Sequence, residues 1–278
     1  MKKITFLIAL FVANFSFGQT TLTPGDVAVI GVNMDVDDDF TFLLLTDIEA
    51  STEIVFTENA YISASDELRT TEGTITFTAS EFMQAGSIIN YLSYPNANQF
   101  VKSGTFALSG SGDQITVYQK DSNDIITFIF SVNLYNDFGY STSKKTNSTD
   151  LPLGLNIDAS NGVLTAVNLT QVDNAMLQDL SQLTGVKSDD LLYICDVSKW
   201  DTHNSSPFNL GTLSTPFKRY SFKFKVSSSN GAVSSNRGEI VAVYNTLGQK
   251  VANANLQGVY IVRVQDGAQV KAVKVLVQ

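Results

Sequence analysis

The chain has 278 residues and a net charge of −9, with 44% hydrophobic, 10% aromatic and only 16% charged residues. Low charge with many aromatics excludes a disordered chain, and the length suffices for one large β domain plus a small one. The lone cysteine, Cys195, excludes an intramolecular disulfide, and with a single histidine, His203, the usual nitrogen and sulfur ligand sets for zinc cannot be assembled.

Lys2 and Lys3, the apolar run 4–13 and the small residues of Ser16-Phe17-Gly18 predict a signal peptide over residues 1–18, with Gln19 as the new N-terminus. The run falls well short of the roughly 20 apolar residues that cross a bilayer, so no transmembrane segment is expected after its removal. From Asp26 the chain reads as strands bounded by turn residues, at 27–32, 40–46, 53–57, 73–77, 87–92, 114–118 and 125–132. Short connectors without a helical period predict an all-β, antiparallel sandwich body over residues 19–216. In the last run Ile126, Phe128, Phe130 and Val132 share one face, and the other face is also rich in apolar residues, so burial on both sides is expected.

Thr78-Ala-Ser-Glu81 has capping-box spacing and predicts one helical turn, whereas residues 140–149 have the composition of an exposed loop. Residues 173–183 followed by Thr184-Gly185 predict a short helix and its stop; residues 188–195 predict an N-capped second one, and together they make a small helical subsection. Residues 210–215 read as a linker. Beyond it, the runs 240–244, 258–264 and 271–277 are three more strands, with Tyr260, Val262, Val264, Val273, Val275 and Val277 facing a core and Ile261, Arg263 and Lys274 facing water. The tail from Phe217 holds nine basic and two acidic residues, so the body between signal peptide and tail holds seven basic against twenty-five acidic. An acidic body of this kind repels nucleic acid and anionic lipid and leaves cations or neutral glycans as partners.

The densest carboxylate cluster is Asn33-Met-Asp35-Val-Asp37-Asp38-Asp39. Alternate residues of a loop can converge on one ion, so Asn33, Asp35, Asp37 and Asp39 are candidate calcium ligands, set against a solvated loop and without the glycine and glutamate of an EF-hand. His203 has no Gly-x-Ser-x-Gly elbow to serve, and Trp200 beside it reads as a packing anchor. Ser109-Gly-Ser-Gly-Asp113 precedes a strand rather than a helix and reads as a turn. Tyr61, Tyr91, Tyr94 and Trp200 are candidates to stack on sugars, and carboxylate pairs for glycoside hydrolysis stay open without one being singled out.

In the tail, Leu247-Gly248-Gln249-Lys250, Gly258-Val259-Tyr260, Gly267 and the strand with Lys271 and Lys274 occur in the order found in C-terminal sorting domains of bacterial type IX secretion, and residues 217–278 resemble that family. The usual Tyr-Pro-Asn-Pro entry is replaced by Lys218-Arg-Tyr-Ser-Phe-Lys-Phe-Lys225. The resemblance implies a small Ig-like sandwich whose motif residues are Gly248, Gly258, Tyr260, Gly267, Lys271 and Lys274. It also implies the type IX machinery as partner, and a secreted or outer-surface location in a diderm bacterium. The body, through Leu22-Thr-Pro-Gly-Asp26, Asp38-Asp-Phe40, Glu53-Ile-Val-Phe-Thr-Glu-Asn59 and Gly104–Tyr118, resembles a poorly characterised group of secreted bacterial β domains and, faintly, lamin-tail sandwiches. The expectation is therefore a non-enzymatic binding, adhesion or structural protein that meets an extracellular glycan or protein; the alternative is a secreted, carboxylate-based hydrolase or its accessory domain.

Overall fold

The computed structural model describes residues 19–144, 146–214, 226–235, 239–266 and 269–277. The expected signal peptide, the 218–225 segment and Gly267 lie outside the described residues. Contacts divide the chain into two units, Met1–Leu180 with Leu191–Thr215, and Ser181–Asp190 with Pro216–Gln278. No helix among the described residues is long and apolar enough to cross a membrane.

The strands of the first unit, in chain order, are β1 (Val27–Asn33), β2 (Asp39–Leu44), β3 (Glu53–Thr57), β4 (Tyr61–Ile62), β5 (Glu67–Leu68), β6 (Thr74–Thr78) and β7 (Ile88–Asn90). They continue with β8 (Phe100–Ser103), β9 (Gln114–Lys120), β10 (Ile126–Asn133), β11 (Ala166–Asn168), β12 (Asn174–Leu177) and β13 (Trp200–His203). They form a five-stranded sheet, β13-β12-β1-β2-β7, a six-stranded sheet, β11-β10-β9-β3-β6-β8, and the hairpin β4-β5. All pairings are antiparallel except the edge pair β10-β11. The body is thus a β-sandwich.

Phenylalanines join the two sheets. The Phe56 ring of β3 lies 4.6 Å from Phe40 and 4.7 Å from Phe42 of β2, and Phe77 of β6 lies 5.4 Å from Phe42. All four are fully buried. Tilted and edge-on contacts at these separations let each ring present its positive edge to a neighbour's face.

A bulge between Phe128 and Phe130 breaks the expected alternation of β10: Phe128 pairs with Tyr118, but Phe130 pairs with Val117. Adjacent residues of β9 point to opposite faces, so Phe130 and Val132 go inward while Ile126 and Phe128 go outward. Residues 210–215 also depart from expectation. They include a 3-10 turn, Leu210–Ser214, with Leu210 and Leu213 buried. A Cβ on Gly31 of β1 would come within 2.7 Å of Leu210 Cδ2, so the missing side chain admits this turn against the strand.

The stretch 173–183 is not a helix. Its first half is β12, hydrogen-bonded between β1 and β13, and only Leu180–Gln182 turn as 3-10. Two waiting strand edges outweigh weak local helix propensity. Likewise Thr78–Glu81 forms no helical turn, because the Ala79 N–H goes to Thr52 O and Met83 bridges Ile48. The second expected helix exists as α1, Lys187–Ile194. Trp200 anchors as expected, buried with its Nε1–H donating to Ile194 O at 2.7 Å. The described residues of the 140–149 loop form no helix or strand, and the loop ends buried, at Ser148 and Thr149.

The tail of the second unit has the hairpin β14 (Val226–Ser229) and β15 (Ala232–Ser235) and a four-stranded sheet. The sheet consists of β16 (Glu239–Tyr244), β17 (Lys250–Val251), β18 (Gly258–Asp266) and β19 (Gln269–Val277), in the order β17-β16-β18-β19. Val233, Val243, Leu256, Val262, Val264, Val275 and Val277 form its core, whereas Ile261 and Leu276 on the alternate positions are exposed. Among the described residues, this small core has no counterpart of the phenylalanine cluster.

Truncating Phe56 to alanine leaves a cavity at the centre of that cluster. The cost should be about 3–5 kcal/mol, read as a lowered denaturation midpoint with an unchanged slope.

Candidate functional site

The bulge of β10 turns Phe128 towards a surface cleft. This cleft, of about 1110 Å³, lies on the outer face of the six-stranded sheet, with Tyr118 of β9 and Phe128 of β10 among its lining. Their rings meet edge-on at 6.4 Å, and Tyr61 of β4 meets Phe128 at 5.2 Å. Polar side chains from neighbouring elements complete the wall, among them Thr57, Asn59, Thr74, Ser103 and Lys120. The β4-β5 hairpin and residues up to Glu72 line another side, held by Tyr61 OH donating to Asp66 Oδ1 at 2.7 Å and by Ser63 N–H and Oγ donating to Asp150 Oδ2.

Beside this cleft the strand ends collect acids. Glu58 follows β3 and is 1% exposed; its Oε1 accepts from Ala107 N at 2.8 Å and Gly73 N at 3.2 Å, and its Oε2 has no hydrogen bond. Gly73 is required there, since a Cβ would lie 2.1 Å from Phe106 N. Asp113 precedes β9, buried, accepting from Ser109 N and Gln114 N. Glu72 precedes β6 and lines the cleft. Its Oε2 lies 3.7 Å from the Arg69 guanidinium and makes no hydrogen bond.

Burial is the first cause that raises all three carboxyls above their ordinary range, and their mutual repulsion adds to it for Glu72 and Asp113. Glu72 is pushed up to about 7, with the Glu58 charge second to burial and Arg69 opposing. Asp38, raised by burial, accepts from Leu108 N at 3.1 Å and also feels Lys102.

The residues singled out from the sequence lie elsewhere. Asn33 accepts from Phe208 N at 2.9 Å and donates to Phe208 O at 2.8 Å, and both Asp39 oxygens accept from Asn90 Nδ2. Asp35 accepts from Asn174 Nδ2, and Asp37 is exposed. No group of three or more His, Cys, Asp or Glu suited to a metal occurs among the described residues. Tyr61 and Trp200 are buried rather than displayed, and Tyr91 stacks on Phe40 at 5.3 Å. Tyr94 is half-buried, edge-on to Phe77 and Phe100. Phe128 and Tyr118, by contrast, line the cleft, and the bulge that turns Phe128 there leaves no mark in the sequence pattern. His203 sits exposed, its Nδ1 accepting from Ser205 N and Ser206 N. Burial pushes the Cys195 thiol up to about 12, so it stays a thiol.

In the tail, Gly248 closes the turn after β16 at φ 78°, its N–H donating to Asn245 O at 3.0 Å while Asn245 Oδ1 accepts from Leu247 N and Gln249 N. Gly258 opens β18 at φ 99°, and Tyr260 OH donates to Gln257 O at 3.1 Å. Lys274 pairs with Ile261 across the β18-β19 ladder, and Lys271 with Val264.

No family model and no curated relative matches the chain. Among solved structures it is similar to HBP35 of Porphyromonas gingivalis at 12% identity and a TM-score of 0.19, over 91% of this chain and 63% of that one. The chain thus spans less than two thirds of that protein's length, and a superposition this loose carries no argument.

The raised carboxyls make stability depend on pH. Folded Glu72 keeps its proton to about pH 7, but unfolded it releases it near 4.5, so the folded state holds more protons in between and stability falls as pH rises across that window. Glu58 and Asp113 act in the same sense. The melting temperature should drop between pH 5 and pH 8, and Glu72→Gln should flatten the drop, as followed by calorimetry.

Proposed function

We propose that the protein is exported to the bacterial cell surface and binds an extended extracellular glycan in the cleft over the six-stranded sheet, without turning it over. The observation that carries the binding reading is the cleft's composition. Phe128, turned outward by the bulge, and Tyr118 beside it line the cleft together with the side chains of Thr74, Ser103 and Lys120. A pyranose ring offers an apolar face and a hydroxyl edge, and this combination of aromatic carbon and neutral hydrogen-bonding groups complements both. The acidic composition of the body suits a neutral or cationic ligand.

The export reading rests on the signal-peptide build of residues 1–18 and on the likeness of the tail to type IX sorting domains. The tail's own core and the left-handed turn at Gly248 are compatible with a module that a secretion machinery recognises as a unit. Loops and clefts of a rigid sandwich can present such binding groups without tuning a general base.

One observation favours the hydrolytic alternative: Glu72, a carboxyl pushed up to about 7, lines the same cleft, and a general acid works best near the operating pH.

Removing residues 239–278 should strand the body in the periplasm, as read by cell fractionation, and surface display of the truncated chain would refute the sorting role. On an array of polysaccharides the purified protein should bind saturably. Phe128→Ala should weaken that binding about tenfold through lost stacking, roughly 1.4 kcal/mol. Turnover of a bound polysaccharide that disappears in Glu72→Gln would transfer the assignment to the hydrolase.

A further inference from the structure

The cleft differs from one end to the other. In the sheet order β10-β9-β3-β6-β8 the rings of Phe128 and Tyr118 stand on the first two strands, and Thr74 and Ser103, directly paired, stand on the last two. Three strand spacings separate β10 from β6, about 14 Å. One sugar ring stacked on the aromatic pair leaves part of that span unused.

The apolar end also extends beyond the two rings, and Tyr61 gathers it. Its ring meets Phe128 at 5.2 Å, Leu68 lies opposite it in the β4-β5 ladder, and its hydroxyl takes a hydrogen bond from the Leu153 backbone. Ile126 stands two residues before Phe128 in β10, and Ile125 leads into that strand from a turn where Asp121 Oδ1 accepts from its N–H at 2.9 Å. Leu68, Ile125, Ile126 and Leu153 all line the cleft, with Ile125 62% and Leu153 67% exposed. A single exposed aliphatic residue is ordinary, but four around one cleft beside an aromatic pair form a patch. Sugar rings stack on flat aromatic faces, whereas branched aliphatic side chains offer no such plane and suit alkyl chains.

Charge restricts the head group. Both bases of the lining are engaged, Lys120 with Asp124 at 3.5 Å and Arg69 with Glu72 at 3.7 Å, and Asp66 and Glu67 add two further carboxylates. An anionic head group therefore meets an excess of negative charge.

Resting on the reading of the cleft as a glycan site, we infer that its ligand is a neutral glycan bearing an alkyl or acyl group. The apolar group is seated on Leu68, Ile125, Ile126 and Leu153, and the sugar runs from the aromatic pair towards Thr74 and Ser103.

The probes are alkyl maltosides from methyl to octyl, below their micelle concentrations, titrated calorimetrically into the full chain from Gln19. Affinity should rise about two- to threefold with each added methylene until the apolar end is covered. Octyl sulfate and a neutral octyl polyether should each bind at least tenfold more weakly than octyl maltoside. The double variant Ile125→Ser, Leu153→Ser should flatten the dependence on chain length with an unchanged melting temperature, since both side chains are exposed. Val197→Ser removes an exposed apolar residue outside the cleft and should leave that dependence as it was. Equal affinity for methyl and octyl maltoside, or a dependence on chain length that survives the double variant, overturns this inference and leaves the glycan reading in place. Equal affinity for octyl maltoside and the octyl polyether overturns the glycan reading, and this inference with it. Failure of octyl maltoside to bind overturns this inference whatever polysaccharide the chain binds.

Discussion

The body depends on the contact of Phe56 with Phe40 and Phe42 across the two sheets. With one cysteine in the chain there is no disulfide to bind the layers, so their union rests on aromatic burial of this kind. A close-packed interior admits little sliding, and fixing Phe56 fixes the register of β3. The consequence reaches beyond stability, because Glu58 is two residues further along the chain, just past the end of β3, and its position follows from that of the ring.

Strand identity was legible because turn residues punctuate runs of β-branched and aromatic side chains, and the runs at 53–57 and 114–118 fall within or coincide with β3 and β9. The faces of β10 were not, since a bulge changes parity without changing composition, and Phe128 and Phe130 read alike in the sequence. β12 was hidden for another reason: its four residues are strand only because β1 and β13 lie ready on either side. Short edge strands such as β8 and β11 carry little pattern of their own. In the tail the alternation holds at the described positions, with Val262, Val264, Val275 and Val277 in the core and Ile261 and Leu276 exposed.

The candidate site shows the same division more sharply. Asp35, Asp37, Asp38 and Asp39 are neighbours in sequence, yet their side chains go to Asn174, to solvent, to Leu108 and to Asn90 respectively. Glu58, Glu72 and Asp113 are far apart in sequence, yet the ladder β9-β3-β6 collects them. A run of acids minimises its own repulsion by diverging into water, whereas acids at the ends of paired strands have their spacing imposed by the sheet. The signal that could have found the second group is the position of each acid at a strand boundary, read together with the pairing order.

Imposed proximity has an energetic meaning. Leaving a buried carboxylate oxygen without a partner costs several kcal/mol in a low-dielectric interior, and a second carboxylate nearby increases that cost. A hydrophobic residue of similar volume at Glu58 would avoid both penalties, and the surrounding core of Phe40, Phe56 and Phe106 supplies apolar neighbours for one. The sandwich instead directs two backbone N–H groups, from Gly73 and Ala107, at one oxygen of Glu58, and Gly73 lacks a side chain where a Cβ would collide with Phe106. Backbone arranged around a carboxyl that packing alone would reject marks a group kept for its charge. The buried carboxyls of Glu58 and Asp113 thus lie at strand ends fixed by the ladder, with Glu72 on the cleft wall, rather than in the loop where the sequence is most acidic.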